Sequence, residues 1–324
     1  MRIVDVTAPG GPENLILTQA PKPAAEPGDV VIAVRAAGVN RADLLQRQGY
    51  YPPPRGISEV IGLEVSGVIA EVGDGVTGWA TGDPCVALLA GGGYAEYVSV
   101  PAGQVIPAPP GIDLVTAAGL IEVAATVVSN FDHVHLATGE TVLLHGGAGG
   151  IGSFAIQYAK ALGARVLVTA GTPAKRQFCL DLGADVALDY HEDWLAGVRD
   201  ATGGRGVDVV LDVMGAKYLE SNVDALAADG RLVVIGLQGG RKGTLNLNTL
   251  LTKRGTVTAT SLRFRPVSQK VEICHHVRDR VWPLLADGQV KPAPQTLFPM
   301  TDVAQAHRHL ESGDNVGKVI LVWE

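Results

Sequence analysis

With 324 residues, the chain is longer than a single hydrophobic core usually supports, so at least two domains are expected. Its 47% hydrophobic and 18% charged residues are typical of a folded soluble protein and exclude a disordered or low-complexity chain. The formal net charge is −7, and no basic run exceeds a pair such as Arg241-Lys242. Nucleic acid is therefore not an expected partner.

The cysteines are few, odd in number and widely spaced, at Cys85, Cys179 and Cys274. This usage predicts a reduced compartment, the cytoplasm, and no disulfide framework. His275 and His276 follow Cys274 directly, but neighbouring residues of a helix point to different sides and cannot converge on one ion. No metal site is therefore expected there.

Neither a secretory signal nor a membrane span is expected. The N-terminal residues reach Asp5 before any apolar segment can form. The most apolar helical stretch, 114–128, is interrupted by Glu122 and is predicted to be too short to cross a bilayer.

Residues 1–110 are rich in short apolar runs such as 29–36 and 64–72. Pro and Gly clusters separate these runs, which predicts a barrel-like domain of short strands. One helix is predicted to begin after Asn40, a suitable N-cap, with Asp43 as an acidic residue in its first turn.

From 122 to 262 the pattern changes to an alternation of strands and helices. Apolar runs lie at 141–144, 165–169, 184–190, 207–213, 231–236 and 256–260, and helical patterns follow the glycine loop and lie at 173–182, 192–201 and 217–228. Six strands joined by crossovers of this length predict a parallel, doubly wound sheet that binds its ligand at the carboxyl ends of the strands.

The first of these strands runs directly into a glycine-rich loop. Gly147, Gly149 and Gly152 have G-x-G-x-x-G spacing, and an amphipathic helix follows them. Such a loop turns tightly and places a dinucleotide pyrophosphate at the positive end of the helix. A second match begins at Gly73, but Trp79–Pro84 cannot continue as a helix, so that copy is interpreted as a turn.

After residue 262 the sequence predicts a long helix at 268–286, a Pro-rich segment, a helix at 302–312 and a strand over Val319–Val322. About 60 residues with so little core would be marginal as a separate domain. We therefore predict that residues 263–324 return to the first domain, 1–121, and that residues 122–262 form the dinucleotide-binding domain.

The choice of cofactor depends on the end of the second strand of this sheet. NAD-binding folds place an acidic residue there to bind the adenine ribose, whereas this strand ends in Val168–Thr172 without one. Lys175, at the start of the next helix, offers a cation for a 2′-phosphate. The sequence therefore predicts NADPH.

Several motifs together resemble the zinc-free quinone oxidoreductases, the zeta-crystallin-like branch of the medium-chain dehydrogenase/reductases. They are Asn40–Asp43, Tyr51–Pro54, Gly62–Gly67, Gly91–Tyr97, the glycine loop, Thr169–Thr172 and Asn315–Lys318, in collinear order along the whole chain. The resemblance implies an α/β fold, with a GroES-like β-barrel catalytic domain and a Rossmann domain with a doubly wound parallel sheet. Zinc-dependent relatives have a catalytic cysteine at the position of Asn40 and a histidine at that of Leu63, and their third ligand falls near Glu122. One carboxylate cannot replace such a set, so no zinc is expected.

The same resemblance implies the roles of individual residues. The cofactor phosphates would contact Gly171, Lys175 and Tyr190 and the loop residues Gly150 and Ile151, while the nicotinamide side would contact Asn40, Thr126, Gly236 and Asn315. Thr172 and Lys318 are further expected cofactor-binding residues. Phe264 is either a nicotinamide-side contact or a plug in the core. Tyr51 is the candidate hydrogen-bond donor to the acceptor oxygen, with Asn40 helping to hold substrate or nicotinamide.

Without a metal, hydride transfer requires an acceptor that is already electrophilic. We expect an NADPH-dependent quinone oxidoreductase. Two alternatives remain open: a reductase of α,β-unsaturated carbonyl or enoyl substrates, and an NADPH-binding protein with a structural or RNA-binding role. The resemblance also implies a homodimer, for which the strand Thr256–Thr260 offers a sheet edge.

Overall fold

The computed structural model describes all 324 residues and divides the chain into two compact units. Unit 1 contains Met1–Ala125, Leu262–Gly288 and Pro292–Glu324, and unit 2 contains Thr126–Ser261 and Gln289–Lys291. Unit 1 therefore combines segments that precede unit 2 in the sequence with segments that follow its main part. The predicted domain limits at residues 121 and 262 remain a prediction.

The first part of the chain forms short strands with few helices. Its strands are β1 (Arg2–Val6), β2 (Leu15–Gln19), β3 (Asp29–Val39), β4 (Glu64–Val72), β5 (Pro84–Leu88), β6 (Tyr97–Pro101) and β7 (Val105–Pro107). Its helices are α1 (Arg41–Arg47), α2 (Leu114–Ala117) and α3 (Ile121–His133), with 3-10 turns at Pro12–Asn14 and Ala102–Gln104.

The middle of the chain alternates strand and helix. In order it forms β8 (Thr141–His145), α4 (Gly150–Ala161), β9 (Arg165–Ala170), α5 (Pro173–Asp181), β10 (Val186–Asp189), α6 (Trp194–Ala201), β11 (Val207–Asp212), a 3-10 turn (Gly215–Tyr218), α7 (Leu219–Ala225), β12 (Leu226–Val234), α8 (Leu247–Thr252) and β13 (Thr256–Ala259).

The last part contains three helices and two strands. They are α9 (Val267–His276), which continues through one π-helical segment (Val277–Val281) into α10 (Trp282–Ala286), then β14 (Gln295–Pro299), a 3-10 turn (Met300–Asp302), α11 (Val303–Ser312) and β15 (Lys318–Val322).

The main sheet of unit 1 has the strand order β14-β15-β3-β4-β5-β7, with β6 also pairing with β3, and β1 and β2 form a separate hairpin. The last strand, β15, runs antiparallel to β3 and parallel to β14. Apolar side chains of β3, β4 and β15, including Ile32, Val65 and Leu321, are buried in one core. This sheet holds the three strands that carry the polar residues described below.

The sheet of unit 2 contains six strands in the order β10-β9-β8-β11-β12-β13, all parallel. The first strand in sequence, β8, lies at its centre and is buried along its whole length. The prediction of a parallel, doubly wound sheet is confirmed. Its topology reverses next to β8, which places the following loop at the position where such sheets bind ligands.

Two expectations need correction. The predicted helix 217–228 ends at Ala225, because Leu226 already pairs with Val207 as the first residue of β12. The apolar stretch continues beyond residue 128, so that Leu114–His133 is long and apolar enough to cross a membrane, and the prediction that it is too short was wrong. Of its most apolar window 78% is buried inside the protein, as in the core helix of a soluble protein.

Candidate functional site

The glycine loop joins β8 to α4, and two of its glycines are required by packing. A Cβ on Gly147 would lie 2.9 Å from both Cys179 Sγ and Val168 Cβ. A Cβ on Gly152 would overlap the Gly146 carbonyl oxygen and lie 2.6 Å from Gly147 Cα. These absent side chains let the loop fold onto β9 and let α4 start directly against the turn.

Gly149 differs from both because it has space around it. A Cβ there would meet only the Gly146 oxygen, at 3.7 Å. Gly149 is the N-cap of the 12-residue helix α4, whose first turn contains Gly150 and Ile151. The first N–H groups of a helix lack partners within it and bind anions, so this bare backbone fits a pyrophosphate.

A second group of predicted residues meets at the end of β9. A Cβ on Gly171 would lie 2.5 Å from Tyr190 Cζ, so the Tyr190 ring packs directly on this glycine. Thr172 caps α5 and its hydroxyl accepts the Lys175 N–H at 3.2 Å. The structure therefore brings Gly171, Thr172, Lys175 and Tyr190 into one corner of unit 2.

The acidic residues near this corner have other partners. Asp185 pairs with Lys160 at 2.9 Å, and Asp189 forms an ion pair with Arg176 of α5. No carboxylate follows β9 directly, as the sequence predicted. The corner consequently presents a cation and a phenol where an NAD-binding fold presents an acid.

Two other predicted cofactor contacts of unit 2 lie elsewhere in its fold. Gly236 follows β12, and a Cβ there would lie 2.7 Å from the Val213 carbonyl oxygen. Thr126 is buried, and its carbonyl accepts a hydrogen bond from Asn130 Nδ2 at 2.7 Å. Their roles in cofactor binding remain predictions.

In unit 1, Asn40 belongs to a buried polar triad with Glu64 and Lys318. Lys318 Nζ lies 2.6 Å from Asn40 Oδ1 and 2.6 Å from Glu64 Oε1, and Asn40 Nδ2 donates to Glu64 Oε1 at 3.0 Å. Glu64 Oε2 accepts the backbone N–H of Glu122 at 3.0 Å. The triad fixes the orientation of the Asn40 amide.

Two glycines make room for this triad. A Cβ on Gly38 would lie 2.6 Å from Glu64 Cδ, and a Cβ on Gly119 would lie 2.8 Å from Lys318 Cγ. The sequence predicts a cofactor contact for Lys318 and does not indicate its pairing with Glu64. Gly38 and Gly119 were the only sequence feature that could have indicated this pairing. Glycine is so common in this chain that these two positions do not stand out.

The positions that hold zinc in related dehydrogenases do not fit a metal here. Leu63 is an apolar buried residue, and the Asn40 amide is held by the Lys318 ammonium. No group of three His, Cys, Asp or Glu side chains is placed to hold a metal ion.

The Tyr51 side chain lies between two residues of the segment that re-enters unit 1. The Arg263 guanidinium lies 5.2 Å from the centre of the Tyr51 ring, and the Phe264 ring meets it edge-on at 5.5 Å. Phe264 is 53% exposed, so its interpretation as a core plug was wrong. The other interpretation, a nicotinamide-side contact, remains a prediction.

Asn315 lies in the turn before β15 and is almost fully buried. Its Nδ2 donates to the Gly317 carbonyl at 2.9 Å, whereas its buried Oδ1 has no hydrogen-bond partner. A buried acceptor without a donor is costly unless a ligand satisfies it. This oxygen is suited to an amide N–H of a bound molecule.

Asp43 is more than an acidic residue in a helix turn. Its Oδ2 accepts the Asn40 N–H at 2.7 Å and the Tyr94 hydroxyl at 3.1 Å, while Oδ1 is buried without a partner. Tyr94 Oη lies 3.3 Å from His307 Nε2, and Arg47 Nη1 lies 3.2 Å from His307 Nδ1. Burial raises the pKa of Asp43 to about 7 and lowers that of His307 to about 3.

These shifts predict how stability depends on pH. Asp43 has a higher pKa in the folded protein than its usual value of 3.8, so its contribution to stability falls as pH rises from about 4 to about 7. Asp43→Asn removes this titration. The free energy of unfolding of the variant, relative to that of the native chain, should therefore rise by up to about 4 kcal/mol between pH 4 and pH 8.

Denaturant unfolding of both proteins at pH 4, 6 and 8 measures this difference. The other charged or titratable groups around Asp43 are common to both proteins and largely cancel: Arg47, Tyr94, Glu122, His307 and Lys318. A stability difference that does not change with pH would contradict the assignment.

Comparison with known proteins agrees with this architecture. Residues 26–110 match the family described as alcohol dehydrogenase GroES-like domain, and residues 150–272 match the one described as zinc-binding dehydrogenase. A probable quinone oxidoreductase of Schizosaccharomyces pombe is 32% identical over 98% of this chain and 95% of its own length. A segment of the Mycobacterium tuberculosis phthioceranic/hydroxyphthioceranic acid synthase, 15% of that protein, is 31% identical over 98% of this chain.

Solved structures are similar over almost the whole chain. Escherichia coli quinone oxidoreductase complexed with NADPH has a TM-score of 0.88 and 30% identity, covering 99% of this chain and 100% of that one. A structure described as an NAD-dependent alcohol dehydrogenase has a TM-score of 0.87 and 31% identity, covering 99% of each chain.

A glycine loop after the central strand of a parallel sheet, together with a GroES-like unit, defines a two-part dehydrogenase fold, and the predicted fold class is confirmed. Such a protein is an oxidoreductase of the medium-chain dehydrogenase/reductase superfamily. Within that superfamily, the chain belongs to the quinone oxidoreductases.

Proposed function

We propose that this protein is an NADPH-dependent quinone oxidoreductase that works without zinc. The observation that carries the choice of NADPH is the corner after β9, where Lys175 and Tyr190 accompany Gly171 and no acid follows the strand. The NADPH complex of the Escherichia coli relative supports it.

Each unit is considered by itself and has its own task in this proposal. In unit 2, the backbone at Gly149 and the start of α4 hold the pyrophosphate, and Lys175 and Tyr190 hold the 2′-phosphate. In unit 1, Asn315 offers its buried Oδ1 to an amide donor. When bound, NADPH supplies a hydride.

The acceptor is expected to be electrophilic without help from a metal, because the zinc positions do not fit an ion. Quinones meet this requirement. Tyr51 donates a hydrogen bond to the acceptor oxygen, and the amide of Asn40, held by Glu64 and Lys318, orients the acceptor or the nicotinamide. The residues thus act mainly by positioning.

An NADPH-oxidation screen with quinones and enones at equal concentration tests this proposal, with NADH in parallel. We expect quinone turnover and at least a tenfold preference for NADPH, about 1.4 kcal/mol. A preference for NADH would overturn the cofactor assignment. Turnover of enones alone would favour the alternative, an enoyl or enone reductase, which the similarity to a segment of the mycobacterial synthase supports.

Lys175→Ala should raise the KM for NADPH by about tenfold and change kcat little, because it removes a charge that meets the 2′-phosphate only. Steady-state kinetics measure both constants. NADH is the internal control, since it lacks that phosphate, and its KM should not change. If the KM values for NADPH and NADH changed equally, the proposal that Lys175 binds the 2′-phosphate would be wrong.

Tyr51→Phe should lower kcat for quinone by no more than about a hundredfold, the effect of one lost orienting hydrogen bond. Tyr50→Phe is the matched control, since the neighbouring Tyr50 side chain is 63% exposed, and it should leave kcat unchanged. Complete loss of activity in a folded Tyr51→Phe protein would mean that Tyr51 does more than orient the acceptor.

We also propose that the protein is a homodimer in the cytoplasm. Strand β13 lies at one end of the unit 2 sheet and offers its edge to a second copy. The three free, buried cysteines agree with a reducing compartment. A monomer in sedimentation at micromolar concentration would contradict the dimer.

A further inference from the structure

Arg263 is an unusual buried cation. Its side chain is almost completely removed from solvent, and it donates to the Ala90 carbonyl at 2.7 Å, the Tyr51 carbonyl at 3.0 Å and Gln46 Oε1 at 2.7 Å. All three acceptors are neutral oxygens. Burial lowers the pKa of the guanidinium, because removal from water disfavours the charged form, while the nearby Tyr51 and Asp43 act in the opposite direction.

A buried guanidinium of this kind costs desolvation energy, which neutral acceptors offset only in part. An apolar side chain of similar size could fill the same space. The contacts of Arg263 therefore suggest a task beyond filling the core.

That task is visible at Tyr51. Arg263 binds the Tyr51 carbonyl, and its guanidinium also lies 5.2 Å from the centre of the Tyr51 ring, while the Phe264 and Tyr51 ring centres are 5.5 Å apart with their planes at 90°. The two consecutive residues therefore contact both the main chain and the ring of one tyrosine. Cation–π and edge-to-face contacts both favour a single ring orientation.

Tyr51 needs such support because it lies outside regular structure. Residues 48–63, between α1 and β4, contain no helix or strand, and three prolines follow Tyr51. Arg263 also binds Gln46, which belongs to α1, and the N-cap of α1 is Asn40. Arg263 thus ties the Tyr51 loop to the helix that carries the second candidate catalytic residue.

We propose that Arg263 is a positioning residue that fixes the Tyr51 hydroxyl relative to Asn40 and so determines kcat. The inference rests on the proposed function, in which Tyr51 meets the acceptor oxygen. Phe264 assists through the perpendicular packing of its ring against that of Tyr51. The opposing explanation is that Arg263 only stabilises the fold.

A double-mutant cycle separates the two explanations. Arg263→Met should lower kcat for quinone by about thirtyfold in the native background, because a displaced catalytic group loses much of its effect. In the Tyr51→Phe background the same change should lower kcat by less than about threefold, because the two residues act as one unit. The KM for NADPH should stay within about twofold in both backgrounds.

Two further variants guard against misfolding. Arg263→Lys keeps the cation but cannot make the same three hydrogen bonds, so its kcat should be intermediate. Phe264→Leu changes a ring that is 53% exposed, so little loss of stability is expected, and it should lower kcat several-fold only when Tyr51 is present. Equal effects with and without Tyr51 would overturn the proposal.

A readout independent of turnover completes the test. The protein is labelled with 3-fluorotyrosine and its ¹⁹F NMR spectrum is recorded. The signal that disappears in the Tyr51→Phe variant is assigned to the Tyr51 ring. Arg263→Met should shift and broaden that signal, and an unchanged signal would overturn the positioning role. If the native chain reduced neither quinones nor enones, the proposed function would fail, while this spectrum would still decide whether Arg263 positions Tyr51.

Discussion

Gly152→Ala should cost unit 2 about 2 kcal/mol of stability and weaken NADPH binding by at least about tenfold. The added methyl would overlap the Gly146 carbonyl and lie 2.6 Å from Gly147 Cα. Both are backbone atoms of a tight turn, so they cannot move without distorting the loop. The better helix propensity of alanine, about 1 kcal/mol, offsets only part of this cost. Thermal unfolding and NADPH titration by fluorescence measure the two effects.

Gly149→Ala is the matched control because its methyl would touch only one atom, at 3.7 Å. Its unfolding temperature should equal that of the native protein. It should nevertheless bind NADPH about tenfold more weakly, because the methyl lies on the backbone that faces the pyrophosphate. If both variants bound NADPH with the affinity of the native protein, the proposal that the dinucleotide binds at this loop would be wrong.

Lys318→Met should destabilise the protein by about 3–5 kcal/mol, the cost of leaving a buried charge without its partner. Glu64 is fully buried and pairs with Lys318 at 2.6 Å. The double variant Glu64→Gln/Lys318→Met removes both charges. The oxygen of the new amide can accept the Glu122 N–H, and its NH2 can donate to Asn40 Oδ1, which no longer binds an ammonium. It should recover most of the loss in denaturant unfolding.

Lys160→Met provides the comparison for an accessible ion pair. Lys160 and Asp185 are each more than one-third exposed, and losing such a pair costs at most about 1 kcal/mol. If Lys318→Met were no more costly than Lys160→Met, the buried triad would not support unit 1.

The parts of this protein that sequence predicts well are local. The strand before Gly147, the helix after Gly152 and the cap at Asn40 are each specified within a few residues, and the structure confirms them. The turn at Gly73 was also distinguished correctly, because Trp79–Pro84 cannot follow a helix start. The prediction that a helix reaches residue 228 was wrong, because strand pairing between Leu226 and Val207 overrides the local helix propensity.

The parts that sequence did not predict join residues far apart in the chain. Lys318 pairs with Glu64 across 254 positions of sequence, and Arg263 reaches the Tyr51 carbonyl across 212. Asp43 had a plausible local role in the first turn of its helix, which concealed its hydrogen bond with Tyr94, whose hydroxyl also lies 3.3 Å from His307 Nε2. Nothing within a short window of sequence indicates such partners, since only the tertiary fold of unit 1 brings them together.

The position of β15 has a consequence for synthesis of the protein. This strand, Lys318–Val322, lies between β14 and β3 in the sheet of unit 1. A nascent chain can complete the parallel sheet of unit 2 once residue 259 has left the ribosome. Residues 29–33 of β3 pair with β6, but residues 36–39 must wait for β15 until residue 322 emerges. During translation the exposed edge of β3 therefore stays available for wrong pairing, and chaperone demand should concentrate in that interval.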